Sequence, residues 1–280
     1  MEDPYLLTGR ATFVDDLQPR GTLHVAFVRS AIASGKIIAL DLSPALDEPG
    51  VVAAFSAAEL GELNLRAVLE RPEFVATDMP ALACGRVRHV GEPIAVVLAT
   101  SPYAAEDGAE AVVVEYEEDG VVAGIDAALA EGAPQLHDDA PGNLLLDVSL
   151  EFGGNVAAVF ESAVQVVEAE VSTGRLSALP MEGRAFLAAY DERSRQIVLH
   201  SSTQVPHLVR TGVAQGLGID ESQVRVIVPD VGGGFGQKAV VAREEVVAAA
   251  LCRKLGRPVK WVEDRREHFL SAIQERDQYW

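Results

Sequence analysis

The stretch VPDVGGGFGQK, Val228 to Lys238, sets four glycines between an apolar run and a run with helical spacing. Glycine carries no side chain, so such a run leaves backbone N–H groups open to an anionic group or to metal-bound oxygens. A helix starting directly behind it would add its own free N–H groups and dipole. The common glycine motifs do not account for the stretch. Counted from Gly232, a dinucleotide fingerprint needs glycine at its first, third and sixth positions, and the sixth is Gln237. A Walker loop needs glycine before the lysine and Ser or Thr after it, whereas Gln237 and Ala239 flank Lys238. Phe235, between Gly234 and Gly236, could reach a cavity. Lys238 adds a positive charge, or simply faces solvent. The same glycines would also serve a tight strand-to-helix turn, and both readings stay open on spacing alone.

Gln204 is the second candidate. It closes the strand-like run QIVLHSSTQ just before Pro206, and its amide donates or accepts a hydrogen bond without adding charge. Satisfying local turn backbone is the plainer role for it. Ligands of open α/β sheets collect at the carboxyl ends of strands. If the two strand–helix units are neighbours, Gln204 and the glycine loop share one sheet edge. His200 reads as structural and His207 as a surface or capping group, while Glu182 and Arg184 could pair with each other. The sequence has no HExxH pattern and no evident Ser-His-Asp set.

The elements that must position these residues read as follows. TLHVAFVRS alternates as a half-buried strand. GVVAAFSAAEL reads as a strand running into a short helix capped by Ser56, and VRHVGEPIAVVLAT as two strands about the turn at residues 91–93. Ser101 and Pro102 open a helix, and VVVEYEE returns as a strand. Residues 196–204 and the run QVRVIVPD are strands, each followed by a helix: one from Pro206 bearing Gly212 and Gly216, one over 239–256. PVKWVED is a further strand, and Asp264, with Glu267 as its partner, caps a last helix.

Composition narrows the function classes. The chain of 280 residues is 49% hydrophobic and carries 42 acids against 23 bases, a formal charge of −19. That balance has no footprint for nucleic acid and is repelled by an anionic membrane. Cys84 and Cys252 belong to no CxxC pair and read as small hydrophobes in a reducing, cytoplasmic setting. The N-terminus lacks the pattern of a signal peptide, no apolar run is long enough to span a bilayer, and Gln278–Trp280 read as the middle of an element.

In order, GRATFVDDLQPRGTLHVAFVRS, RHVGEPIAVVLA, SSTQVPH, VPDVGGGFGQK and RPVKWVEDRREHF resemble the molybdenum-binding large subunit of the xanthine dehydrogenase, aldehyde oxidase and carbon monoxide dehydrogenase family. The resemblance runs through nearly the whole chain. It implies an α+β fold: an a/b hammerhead domain over 1–120, a linker over 121–147, and the first part of a molybdopterin-binding α/β domain over 148–280. It implies a molybdenum–molybdopterin cofactor, a cytosine dinucleotide form being one option. Gln204 would lie beside the molybdenum oxo ligand, and Phe235 and Gly236 would pack on the cofactor. Gly233 and Gly234 would shape the loop, and neither Gln204 nor Phe235 would ligate the metal directly.

The implied chemistry is oxidative hydroxylation of an aldehyde, an N-heterocycle or carbon monoxide, with oxygen from water. The implied partners are the remainder of the large subunit, an iron–sulfur subunit carrying 2Fe-2S and a flavin subunit carrying FAD. Three departures stand out. Ala239 replaces the acid that follows the lysine in purine-oxidising members, RSAIA stands for RSPHA, and Gly183 replaces a proline in MEGRA. The family's later segments, with its catalytic glutamate, are absent, so no complete catalytic set lies in this chain. A non-catalytic binding or assembly module of the same fold, or an inactive truncated product, is the alternative.

Overall fold

Alternating and continuous apolar runs form one mixed seven-stranded sheet in the computed structural model, which describes residues 3–66, 69–150, 152–274 and 276–280. Its strands are β1 (Leu23–Arg29), β2 (Val51–Ser56), β3 (Pro93–Ala99), β4 (Ala185–Asp191), β5 (Gln196–Ser201), β6 (Val224–Ile227) and β7 (Val259–Val262), in the spatial order β6-β5-β4-β7-β1-β3-β2. β3 is buried at every position, as PIAVVLA requires. β1 pairs antiparallel with β3 and parallel with β7, in register Leu23 with Val259. β5 pairs parallel with β6, Ile197 opposite Val224 and His200 opposite Ile227.

Helices α1 (Pro102–Ala111), α2 (Pro206–Leu217), α3 (Arg243–Leu255) and α4 (Arg265–Ser271) accompany the sheet. The expected caps are present. The Ser56 and Ser101 hydroxyls accept from the amides of Ala58 and Ala104, and Asp264 accepts from Glu267 at 2.7 Å. Gly212 and Gly216 let α2 sit close to its neighbours, since a Cβ at either would stand 2.8 Å or 2.7 Å from Val241 or Val246. A main core joins β1, β3, β4, β5 and β7 to α2 and α3 through Leu23, Leu98, Phe186, Leu199, Val213, Leu251 and Trp261.

The chain divides into two units. The first comprises Met1–Arg66, Asp78–Val121 and Ser177–Ile273 and holds the sheet; the second comprises Ala67–Thr77, Val122–Leu176 and Gln274–Trp280. The second unit has little regular structure: helices Ile125–Leu129 and Val156–Ser162, and a pairing of Ser172–Thr173 with Gln278–Tyr279. Many of its apolar residues lie open, among them Phe152, Val159, Phe160 and Val167. No helix among the described residues is long and apolar enough to cross a membrane.

Several expectations are corrected. The two strands expected about the turn at residues 91–93 are present but lie in different sheets, since Arg86–Val87 pairs with Gly35–Asp41 in a separate three-stranded sheet. β5 stops at Ser201, leaving Gln204 in the loop beyond it. α3 begins at Arg243 because residues 235–240 are spent in turns. The Glu267 carboxylate reaches Arg29 at 2.9 Å instead of closing a capping box.

The cysteines separate as well. Cys84 is exposed, while Cys252 is buried and its thiol is pushed up to about 12 by that burial. Titration with a chromogenic disulfide reagent is expected to modify one thiol in the folded chain and the second only in denaturant. Two fast thiols in native buffer would contradict this burial.

A candidate cofactor ledge at the carboxyl edge of the sheet

Because β5 and β6 run parallel as neighbours, the loops after them emerge on the same sheet edge. There the Gly236 amide donates to Gln204 Oε1 at 3.1 Å, and the backbone N–H of Gln204 donates to the Lys238 carbonyl at 2.8 Å. The Thr203 hydroxyl donates to the same carbonyl at 3.1 Å. Gly234 is buried beneath the Gln204 side chain, where an added Cβ would stand 2.5 Å from Oε1, so only glycine lets the amide lie across the loop. The turn also uses left-handed backbone, with φ of +94° at Gly233, +51° at Phe235 and +90° at Gly236. A phenylalanine held there is uncommon and marks a constrained turn.

The structure therefore brings Gln204, Gly234 and Gly236 into contact and sets Phe235, 76% exposed, beside them with its ring edge against Gly233. Sequence reasoning missed what lies behind the loop. Lys238 does not face solvent: it is buried, and its ammonium pairs with the Glu182 carboxylate at 2.8 Å. Burial pulls that ammonium below the ordinary lysine range, and Glu182 opposes the pull. Glu182 is thus not the partner of Arg184, which binds Glu263 at 2.6 Å and Glu244 at 3.5 Å. The only sequence signal for this was Lys238 closing the glycine motif. His200 is half-buried on β5 and His207 exposed on α2, as expected of structural and surface groups.

A buried charge network supports the edge from below. Arg29 and Arg184 both bind Glu244 and both lie over the ring of Trp261, at 5.9 Å and 5.3 Å. Burial alone would raise the Glu244 carboxyl; Arg184 and Arg29 outweigh it and hold it at about 2. Its neighbour Glu245 has no such partner. Burial raises it to about 7, against hydrogen bonds from the Ser201 hydroxyl at 2.6 Å and the Ala242 amide at 2.9 Å.

The ledge fits a bulky anionic cofactor. The amides of Gly233, Gly234 and Phe235 have no acceptor among the described residues. An added Cβ at Gly236 would meet nothing within 4 Å, so this backbone is open to approach. Glu182, whose carboxylate meets the loop at the Gly232 amide, is matched by Lys238. Donor backbone, a neutral amide and an open aromatic ring suit phosphate and oxo groups better than a cation. A binding domain for an anionic cofactor, built on two strand–helix units, is the class that this edge defines.

The comparisons agree. The family model described as the molybdopterin cofactor-binding domain matches residues 136–280, and that of the aldehyde oxidase and xanthine dehydrogenase a/b hammerhead domain matches residues 8–120. The chain is 39% identical to the nicotine 6-hydroxylase large subunit of Paenarthrobacter nicotinovorans, over 99% of this chain and 34% of that protein. It is 34% identical to the carbon monoxide dehydrogenase large chain of Hydrogenophaga pseudoflava, over 99% of this chain and 36% of that protein. Among solved structures, quinoline 2-oxidoreductase from Pseudomonas putida 86 superposes with a TM-score of 0.89 at 42% identity, covering 99% of this chain and 35% of that one. The chain belongs to the molybdenum hydroxylase family of xanthine dehydrogenase and aldehyde oxidase, with an a/b hammerhead domain and a molybdopterin cofactor-binding domain. It spans about a third of the length of the relatives it matches.

Proposed function

We propose that the chain forms part of the catalytic large subunit of a molybdenum hydroxylase, and that Gln204, Gly233, Gly234, Phe235 and Gly236 form one wall of its molybdenum–molybdopterin site. The observation that carries this reading is the Gln204 amide lying over Gly234 and fixed by the Gly236 amide. When bound, the cofactor supplies the redox centre for oxidative hydroxylation with oxygen from water. The chain's own residues bind and orient. Gln204 Oε1 is occupied by Gly236, which leaves its Nε2 hydrogens to donate. The loop amides offer hydrogen bonds to anionic oxygens, and Phe235 presents an apolar face that excludes water. Neither Gln204 nor Phe235 is a metal ligand in this reading.

The substrate is an aldehyde, an N-heterocycle or carbon monoxide. The nicotine and quinoline named for two relatives support the N-heterocycle, and Ala239 disfavours a purine. The division into 1–120, 121–147 and 148–280 is part of this proposal; the hammerhead module ends at residue 120, and the molybdopterin cofactor-binding module begins at residue 136, within the proposed linker. We place the working enzyme in the cytoplasm on its two unpaired thiols. The rest of the large subunit, an iron–sulfur subunit and a flavin subunit complete it, with the cytosine dinucleotide form of the cofactor as the variant to look for. The open apolar helix face of Val156, Val159 and Phe160 is consistent with cover by further polypeptide.

The test uses the complete enzyme with Gly234→Ala and Gln204→Ala. The added methyl evicts the amide in the first, and the second deletes it. Losing one hydrogen bond of about 1–1.5 kcal/mol lowers molybdenum occupancy or turnover roughly tenfold. Wild-type molybdenum content and turnover in both variants would remove the loop from the cofactor site.

A further inference from the structure

We propose that Glu182 is the positioning residue of the glycine loop, a single carboxylate that clasps the loop's two ends, Gly232 and Lys238, and so sets the conformation Gln204 lies on. The proposal rests on the cofactor reading above and adds to it a residue outside the loop. Glu182 Oε2 accepts both the Gly232 amide and the Lys238 ammonium, each at 2.8 Å. The Glu182 amide in turn donates to the Gly232 carbonyl at 3.2 Å, so residues 182 and 232 are joined in both directions. Their approach is close enough that a Cβ on Gly232 would stand 2.5 Å from the Glu182 Cβ.

The loop is thus held on two sides. Gln204 and Thr203 hold the Lys238 carbonyl from the β5 side, and Glu182 holds the Lys238 side chain and Gly232 from the segment leading into β4. Between these anchors, the turn at residues 233–236 has the left-handed backbone that would relax if either were released. Glu182 touches neither substrate nor cofactor in this scheme; it acts through the loop. The charge of Lys238 is what makes a carboxylate necessary there. A buried ammonium needs a counter-ion, and Glu263 acts on it in the same direction as Glu182 but less strongly.

The test is amide hydrogen exchange read by NMR on the full chain, for wild type, Glu182→Ala and Glu182→Gln. In Glu182→Ala the Gly232 amide is expected to exchange at least tenfold faster, together with those of Gln237 and Ala239, while the amides of α3 keep wild-type rates. In Glu182→Gln the side-chain carbonyl still accepts from Gly232, whose rate stays within threefold, but the buried ammonium loses its counter-charge, its hold weakens, and Gln237 and Ala239 speed up. A merely structural residue would not split the loop's two ends this way. If the Ala variant does not fold, the contrast between Gly232 and Ala239 in Glu182→Gln decides alone. Unchanged loop exchange, or a rise in α3 equal to that in the loop, overturns the clasp. Exchange that follows the expected pattern, with wild-type molybdenum content in the complete enzyme bearing Glu182→Gln, upholds the clasp and overturns the cofactor reading.

Discussion

Arg184→Met is expected to lower the unfolding free energy by about 3–5 kcal/mol, the usual cost of removing one partner from a buried ion pair. Its guanidinium binds Glu263 through Nε and a terminal nitrogen at 2.9 Å and 2.6 Å, and donates to the Ser271 hydroxyl at 2.8 Å. The side chain of Glu263 is wholly buried and that of Glu244 nearly so, so Glu263 loses its guanidinium and Glu244 one of its two where water cannot replace them. Methionine keeps much of the packing over Trp261, which makes the charge the main thing removed. Arg29 remains on Glu244 at 3.0 Å, so the variant is still expected to fold. Acid sensitivity follows with a defined sign. Glu244 is held at about 2, below its ordinary 4.5, and contributes stability present above 4.5 and lost as pH falls towards 2. Without Arg184 the folded value moves up towards 4.5, so this acid-dependent loss becomes smaller and is complete at a higher pH. Urea unfolding at pH 7 and pH 4 reads both effects, and an unfolding midpoint equal to wild type would show that the network contributes nothing net.

Glu245→Gln is expected to stabilise the chain above pH 7 by on the order of 2–3 kcal/mol. The Glu245 carboxyl is raised from its ordinary 4.5 to about 7, chiefly by burial. Between those values the folded chain keeps a proton that the unfolded chain releases. Stability is therefore full below 4.5 and declines as pH rises to 7. Glutamine imitates the protonated acid: its carbonyl can accept from the Ala242 amide, and its amide can donate to the Ser201 oxygen. The difference in unfolding free energy between variant and wild type should be small at pH 5 and should grow towards pH 8. A difference that does not change with pH would mean that Glu245 is ionised throughout. The neighbours Glu244 and Glu245 thus titrate in opposite directions because only one of them meets guanidinium groups.

Local signals were legible in the sequence and distant partners were not. Ser56, Ser101 and Asp264 were readable as caps because a cap bonds within three residues. The shared edge for Gln204 and the glycine loop was readable because two successive strand–helix units place their loops on one side once their strands pair parallel. The start of α3 was misplaced because Val240 and Val241 continue its apolar spacing. Val241 instead packs against Gly212, a contact that spacing within one helix cannot reveal. The ion pairs were out of reach for a simpler reason. Arg29 and Glu244 are 215 residues apart, Arg184 and Glu263 79 apart, and nothing local chooses among 42 acids. Proximity in the sequence suggested Glu182 with Arg184; both lie in the segment before β4, and each instead meets a partner distant in the sequence, Lys238 for Glu182 and Glu263 for Arg184.

The parallel pairing of β1 with β7 carries a consequence for biosynthesis. Leu23 lies against Val259, and its amide donates to the Pro258 carbonyl at 2.8 Å. During translation β1 and β3 emerge early, yet one side of β1 has no hydrogen-bonding strand until β7 has left the ribosome. The nascent chain thus exposes an apolar, unsatisfied strand edge while the residues between β1 and β7 are made, the situation in which chaperone binding or aggregation competes with folding.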